Sequence, residues 1–173
     1  MDERSVDIFA MIHEGSSASG QVALADLPRL ASLLASDAGT LRWTAQGRVE
    51  GEARTGTRLI LVLDAQARPA LACGKCLEPV EVELVVASTL LVVADEALAA
   101  ELDEQEMEID VVAGSRHFDL LGLLEDEAIL ALPPLASHED CAPPSLAAED
   151  AEEPAGPLAG LAAFKRDGPA RPQ

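Results

Sequence analysis

The chain has 173 residues and a formal net charge of -19. A field of this sign repels phosphate, so any hold on nucleic acid must come from local basic residues. The composition is 49% hydrophobic but only 2% aromatic, which predicts one core of leucine, valine, isoleucine and alanine. The odd number of cysteines, with no predicted signal peptide and no stretch as long as a membrane span, argues against a disulfide framework and a membrane protein. We therefore expect a cytoplasmic protein.

In chain order, the first part of the sequence predicts a strand, a loop and a helix. Residues 6–11 are an apolar run typical of a short edge strand, and residues 15–20 are rich in serine and glycine, which indicates a loop. Asp26 is predicted to cap a helix that carries Pro28 in its first turn. The apolar face of this helix is formed by leucines at helical spacing: Leu27, Leu30, Leu33 and Leu34.

The middle of the sequence predicts β-strands. Apolar and polar residues alternate over 41–49, which indicates a half-buried strand. A second strand over 54–64 ends in a run that is apolar on both sides, which predicts a central place in the sheet. A long third strand is predicted over 80–93. Consecutive strands with short connections favour an antiparallel sheet or a partly closed barrel.

Three further elements follow an acidic connector. The sequence predicts a helical turn over 97–101, a short strand over 109–112 and a helix over 119–131. Asp119 is placed to cap this last helix, and Pro133-Pro134 ends it.

The predicted architecture is an α+β fold, with an antiparallel sheet or a partly closed β-barrel and two main helices. Residues 1–141 are expected to form a single domain. Residues 142–173 have little to bury and read as a disordered acidic tail, which ends in a short amphipathic basic segment.

Two short motifs, Cys73-Gly-Lys-Cys76 and His138-Glu-Asp-Cys141, hold all three cysteines of the chain. Together they offer four soft or borderline ligands, which is the number that a tetrahedral zinc site needs. The turn within each motif can aim both ligands the same way and supply backbone N–H groups to the thiolates. Gly74 is expected to provide a positive φ in the first turn. The motifs predict one structural zinc, provided that the helix before the second motif returns to the sheet edge that carries the first.

Three other interpretations of the cysteines stay open at this stage. They can be small apolar residues of the core, Cys73 and Cys76 can form a redox pair, or the cluster can keep its geometry without metal. The redox interpretation lacks the strand-to-helix setting that usually follows such a pair, because Pro79 and a strand come next.

The sequence contains no nucleophile motif, phosphate loop or nucleotide fingerprint. His117 stands just before the predicted helix at 119–131, and we interpret it as a hydrogen-bonded residue near the helix cap rather than as a base. We therefore predict that the chain is not an enzyme and has no small-molecule substrate.

Three stretches of the chain together resemble the YceD family of large ribosomal RNA subunit accumulation proteins. The run from Cys73 to Leu77 resembles the family's C-x-R-C-L signature, with Lys75 in place of arginine. Residues 119–134, with the histidine and cysteine that follow them, resemble the second block of the family. Residues 156–166 are similar to its short basic tail motif.

The resemblance implies a non-catalytic ribosome-biogenesis factor that supports the synthesis, processing or stability of 23S rRNA. It also implies a ribosomal protein or a pre-ribosomal particle as the partner, and metal binding by the family's cysteines.

Two routes to the rRNA are compatible with this resemblance. In the first, RNA phosphates contact a basic face on the sheet. In the second, the acidic half of the chain, where residues 95–153 carry 18 acids and one base, binds a basic ribosomal protein; the charge total favours this route. An alternative of another class is a metal-handling or thiol-redox protein that uses Cys73 and Cys76. The candidate residues for RNA contact are Arg42, Arg48, Arg54, Arg58 and Lys75.

Overall fold

A computed structural model describes residues 3–51, 57–104 and 109–141. Within those ranges the chain forms short helices and a larger number of strands. In chain order they are helix α1 (Ile8–His13), strand β1 (Ser17–Ala23), a 3-10 turn (Leu24–Asp26), helix α2 (Pro28–Ala31), strands β2 (Thr40–Glu50), β3 (Arg58–Ala67), β4 (Ala70–Ala72), β5 (Pro79–Glu81) and β6 (Leu84–Val93), helix α3 (Glu96–Asp103), strand β7 (Asp110–Ala113) and helix α4 (Leu120–Leu130).

Five of the strands form one sheet, in the order β1-β2-β3-β6-β7, while β4 and β5 pair separately as a small hairpin. Neighbouring strands of the large sheet are antiparallel, except that β6 and β7 run parallel. β3 lies in the middle, as the apolar run at its end predicts. Across the described ranges the large sheet stays open, so the α+β prediction is confirmed in its open-sheet form and not as a barrel.

The two faces of the large sheet are covered to different extents. Helices α1 and α4 pack against one face, where Leu41, Trp43 and Ala45 of β2 are buried and the intervening Arg42 and Thr44 are exposed. That alternation confirms the half-buried strand. Helix α3 covers only one end of the opposite face. The apolar cluster under it consists of Ile60, Leu91, Val93 and Ala99.

The edge strand predicted over residues 6–11 is wrong, because α1 begins at Ile8 and the stretch pairs only through an isolated bridge between Val6 and Phe118. Asp7 caps the helix: its carboxylate accepts a hydrogen bond from the N–H of Ala10 at 3.0 Å. The apolar residues are spaced for one helix face, and the alternation that a strand needs is missing. The buried side chains of the helix are Ile8, Met11 and Ile12.

The loop predicted over residues 15–20 is also wrong, because most of it belongs to strand β1. The small residues there make room for neighbours. A Cβ on Gly20 would lie 3.0 Å from Cζ2 of Trp43, and a Cβ on Gly47 of β2 would lie 2.5 Å from Cα of Ile12. Glycine at these positions marks the close approach of another group rather than a turn.

The helix predicted from Asp26 is shorter than expected and is capped differently. Asp26 lies in the 3-10 turn, and Leu27 holds the cap position without a side-chain hydrogen bond. Glu125 of α4 supplies the missing acceptor, because its carboxylate lies 2.6 Å from the backbone nitrogen of Arg29 and 3.1 Å from that of Leu30. This contact joins α2 to α4.

Helix α2 ends early because the chain turns to meet β4. The N–H of Ala35 donates to the carbonyl of Ala70 at 2.8 Å, which removes this stretch from a helical path. Leu33 is 52% exposed, so it does not belong to the predicted apolar face.

The single strand predicted over 80–93 is divided between β5 and β6. The N–H of Val82 donates to the carbonyl of Pro69 at 2.9 Å, and this contact diverts β5 into the hairpin with β4. The shorter predictions after residue 95 are confirmed by α3, β7 and α4, and Asp119 caps α4 through the N–H of Gly122 at 2.9 Å.

Two predictions fall outside the described residues: the start of the strand predicted over 54–64, and the acidic tail over 142–173. Among the residues that are described, no helix is both long enough and apolar enough to cross a membrane.

Candidate metal centre

The β4–β5 hairpin carries the first cysteine motif in its turn. Cys73 directly follows β4, and Cys76 lies three residues before Pro79, where β5 begins. The N–H of Cys73 donates to the carbonyl of Glu78, and the N–H of Leu77 donates to the carbonyl of Cys73, both at 2.9 Å. These hydrogen bonds hold the two thiols on one tight turn.

The segment after α4 brings the second motif to the same turn. The N–H of Gly74 donates to the carbonyl of Ala136 at 2.8 Å, which fixes the chain just before His138 and Cys141. The segment after helix α4 therefore meets the β4–β5 hairpin, which pairs apart from the large sheet, at the turn that carries the first motif. The geometric condition that the sequence set for a four-ligand cluster is met.

The ligand atoms of Cys73, Cys76, His138 and Cys141 all lie within 4.8 Å of one another. Sγ of Cys73 lies 3.8 Å from Sγ of Cys141, and Sγ of Cys76 lies 3.6 Å from Nδ1 of His138. Zn–S bonds of about 2.3 Å at the tetrahedral angle place two sulfurs about 3.8 Å apart, and a sulfur and an imidazole nitrogen about 3.6 Å apart. The four side chains are close enough to hold one metal ion, and these two spacings fit zinc.

The imidazole of His138 is oriented from its far side. Nε2 lies 3.2 Å from the carbonyl oxygen of Pro79. A carbonyl only accepts, so Nε2 carries the hydrogen and Nδ1 presents its lone pair toward Cys76. This is the outer hydrogen bond that metal-ligating histidines use to fix tautomer and direction.

The surroundings of the thiols shift their pKa values in opposite directions. The backbone N–H groups of Cys76 and Lys75 lower the pKa of Cys73 to about 5, and the Lys75 nitrogen lies 3.4 Å from Sγ of Cys73. Hydrogen bonding with Cys76 and burial raise the pKa of Cys141 to about 12. The backbone N–H groups therefore favour the thiolate of Cys73, whereas the surroundings of Cys141 favour its thiol form.

The cysteines are free thiols in this structure. The 3.8 Å between the sulfurs of Cys73 and Cys141 is well beyond the disulfide bond length of about 2.05 Å. Cys73 is fully buried, whereas Cys76 and Cys141 are half-buried. Reagents in solution therefore meet the cluster mainly through the latter two.

The backbone of the turn that carries Cys73 and Cys76, called the knuckle turn below, differs from the sequence prediction. Gly74 does not have a positive φ, and Leu77 has one instead, at 68°. Leu77 directly follows Cys76 and is 74% exposed. Nothing in the sequence marks Leu77, because leucine seldom adopts this conformation.

The basic residues predicted to contact RNA occupy several places. Arg42, Arg48 and Arg58 share the face of the sheet opposite to α1 and α4, and all three are exposed. Arg48 is paired with Glu50 at 2.8 Å, whereas Arg42 lies about 20 Å along β2 from Arg48. Lys75 is exposed in the turn between Cys73 and Cys76, and Arg54 lies outside the described residues.

The interpretation of His117 as a residue near the helix cap is confirmed. It is exposed, and its Nδ1 lies 3.0 Å from the hydroxyl oxygen of Ser5. It is well separated in sequence from the cysteine cluster and makes no contact with it among the described hydrogen bonds.

A family model described as large ribosomal RNA subunit accumulation protein YceD matches residues 61–165, which is more than half of the chain. The chain belongs to the YceD family. This match confirms the resemblance seen in the sequence. No curated protein and no solved structure matches the chain.

The YceD match places the cluster inside the family's common part. It begins within β3, includes all four candidate ligands, and continues beyond the last described residue, Cys141. Helix α1 and strands β1 and β2 precede it. In this YceD protein the candidate metal cluster and residues 142–165 therefore lie within the matched range, and strands β1 and β2 lie before it.

Proposed function

We propose that this YceD protein is a non-catalytic ribosome-biogenesis factor that supports the accumulation of 23S rRNA. Family membership carries this proposal, because the family's description names large ribosomal subunit RNA. The protein acts by binding a basic protein of the large subunit, or a pre-ribosomal particle that displays one, through its acidic surface.

The charge distribution of the described residues supports a protein partner. Acidic side chains between residues 95 and 141 are mostly exposed, and few cations offset them. Arg4 and Arg29 pair with two of these acids, Asp119 and Asp126. The other exposed acids attract a cationic partner. They are Asp95, Glu96, Glu101, Glu104, Asp110, Glu139 and Asp140.

The basic residues supply a weaker argument for direct RNA binding. Arg48 is already neutralised by Glu50, and Arg58 has an interaction of its own. The distance along β2 separates Arg42 from both. Direct contact of these arginines with RNA is therefore the second, less favoured form of the proposed function.

We further propose that Cys73, Cys76, His138 and Cys141 hold one structural zinc ion. Three thiols and one imidazole are a donor set typical of structural zinc, and soft donors of this kind disfavour magnesium and calcium. Four protein donors fill the coordination sphere, so no position is left for a substrate. The ion's role is to fix the segment after α4 to the β4–β5 hairpin.

Charge-neutralising variants distinguish the two forms of the proposal. In cells that lack the native gene, complementation is measured as the ratio of 23S to 16S rRNA, together with co-sedimentation of the protein with pre-ribosomal particles. One variant changes three exposed acids of the α3 region: E96Q, E101Q and E104Q. The matched variant changes three arginines of the sheet: R42Q, R48Q and R58Q.

If the protein acts through a basic partner, the acid variant loses particle association and the arginine variant keeps it. If instead the arginine variant loses particle association and the acid variant keeps it, the protein acts by direct RNA contact. If the native protein itself fails to restore the 23S to 16S ratio, the role in rRNA accumulation is wrong.

A further inference from the structure

Leu77 is an unusual surface leucine. Its backbone is left-handed, with φ at 68°, where a residue with a Cβ costs about 1–2 kcal/mol and glycine costs little. Its side chain is 74% exposed, so it gains little from burial. Neither feature favours leucine for the described fold alone. Exposed residues in strained backbone are often those that bind something.

A second exposed leucine lies beside the same turn. Leu135 is 82% exposed, and its Cδ2 would be 3.6 Å from a Cβ built on Gly74. Exposed acids lie near both leucines in sequence, since Glu78 directly follows Leu77, and Glu139 and Asp140 come four and five residues after Leu135. We call this set the knuckle surface, and its members are Leu77, Glu78, Leu135, Glu139 and Asp140.

Two exposed leucines on segments that meet at this turn, with more exposed acids than bases near them in sequence, fit a short segment that carries apolar side chains next to cations. The chain contains such a segment near its end. Its apolar residues are Leu158, Leu161, Ala162 and Phe164, and Lys165-Arg166 follows at once. We propose that residues 158–166 of this chain dock on the knuckle surface.

The path of the chain favours its own tail over a separate molecule. The described part ends at Cys141, which is itself a member of the metal cluster. Only residues 142–157 intervene, and sixteen residues can span up to about 55 Å. Attachment gives a segment an effective concentration in the millimolar range, so even a weak contact is occupied.

The family match points the same way. It covers the knuckle surface and continues to residue 165, so the match includes the surface and all but the last residue of the proposed docking segment. The contact covers Leu77 and places Lys165-Arg166 near Glu139 and Asp140. It concerns this chain alone and does not depend on the proposed role in rRNA accumulation.

Methyl NMR of the full-length protein tests the docking. The chain has three phenylalanines, and the ring of Phe164 shifts the resonances of any methyl group that it covers. With leucine methyl groups labelled, we expect contacts between the Phe164 ring and the methyls of Leu77 and Leu135. In F164L these methyl resonances move to the positions of exposed leucines, whereas in the matched tail variant L146A they do not change.

A variant on the receiving side tests the same contact. L77N introduces asparagine, which tolerates left-handed backbone, and removes the apolar side chain. We therefore expect the fold to be retained while the tail is released. Release is read as about a tenfold rise in the cleavage rate of the tail by a protease at Lys165 and Arg166. L33N changes an exposed leucine elsewhere, 52% exposed, and leaves that rate unchanged.

Three results would overturn the proposal. The first is the absence of ring contacts in the wild-type protein, and the second is equal cleavage of the wild type and L77N. The third is a set of methyl shifts that depends on protein concentration, because a second copy of the chain then occupies the surface.

Discussion

Sγ of Cys73 lies 3.8 Å from Sγ of Cys141, although 68 positions separate the two cysteines in the chain. Strands β5, β6 and β7 and helices α3 and α4 lie between them. Closing this long segment costs conformational entropy. An ion that binds only the assembled cluster therefore stabilises the folded chain.

His138 is expected to be required for metal binding. H138Q removes the Nδ1 donor that lies 3.6 Å from Sγ of Cys76. We predict that zinc affinity falls at least about 100-fold, because even outer hydrogen-bond partners of a ligand contribute 10–100-fold. Competition with a chromophoric chelator measures the change. H117Q removes an exposed histidine that contacts Ser5 and should bind zinc as the wild type does; equal affinity of both variants contradicts the assignment.

Glu125 is expected to stabilise the fold more than its exposed neighbour. Its carboxylate is 7% exposed and accepts hydrogen bonds from two backbone N–H groups of α2, as well as from Nε of Arg29 at 3.0 Å. E125Q weakens these charged acceptors, and we expect a loss of about 1–3 kcal/mol in the free energy of unfolding. D126N removes a 53% exposed partner of the same arginine and should cost less than about 1 kcal/mol. Urea unfolding compares the two, and a larger loss in D126N would refute the capping role.

The same carboxylate predicts a dependence of stability on pH. Burial raises the pKa of Glu125, but the N–H of Leu30 and the contacts with Arg29 together lower it below its ordinary value of 4.5. A group with a depressed pKa in the folded state stabilises that state above its unfolded pKa, and this stabilisation is lost as the pH falls through the folded pKa. Below pH 4.5, the wild-type free energy of unfolding should therefore drop more steeply than that of E125Q. Parallel curves would show that Glu125 does not titrate in this way.

Two glycines are expected to respond differently to alanine. A Cβ on Gly47 would lie 2.5 Å from Cα of Ile12, whereas the nearest atom to a Cβ on Gly74 is 3.6 Å away. We predict that G47A lowers the free energy of unfolding by about 1–3 kcal/mol, because the helix backbone must move, and that G74A is tolerated. Thermal unfolding of both variants measures this difference. A stable G47A would mean that α1 does not approach the sheet so closely.

The four candidate ligands could be picked out from the sequence because each motif is local and its residue types are rare in the chain. The spacing of Cys73 and Cys76, and that of His138 and Cys141, is enough to mark each pair as candidate ligands. The strand β2 and the helix α4 were predictable for a related reason, since their polar and apolar residues follow one period over many positions.

The features that the sequence did not reveal depend on contacts between distant elements. Gly20 and its small neighbours have a composition typical of a loop, and only the contact with Trp43 explains why a strand needs small residues there. Asp26 resembles a cap, yet Glu125 provides the acceptors for α2 from almost a hundred residues away. The left-handed backbone of Leu77 is imposed by the closed knuckle turn, because leucine itself has no preference for this conformation.

The most direct test of the account is the metal content of untagged protein, measured together with its thermal unfolding before and after a chelator is added. We predict about one zinc ion per chain and a clear fall in the unfolding temperature when the zinc is removed. A protein that contains no zinc, and whose unfolding temperature is unaffected by the chelator, would contradict the assignment of Cys73, Cys76, His138 and Cys141 as a structural metal centre.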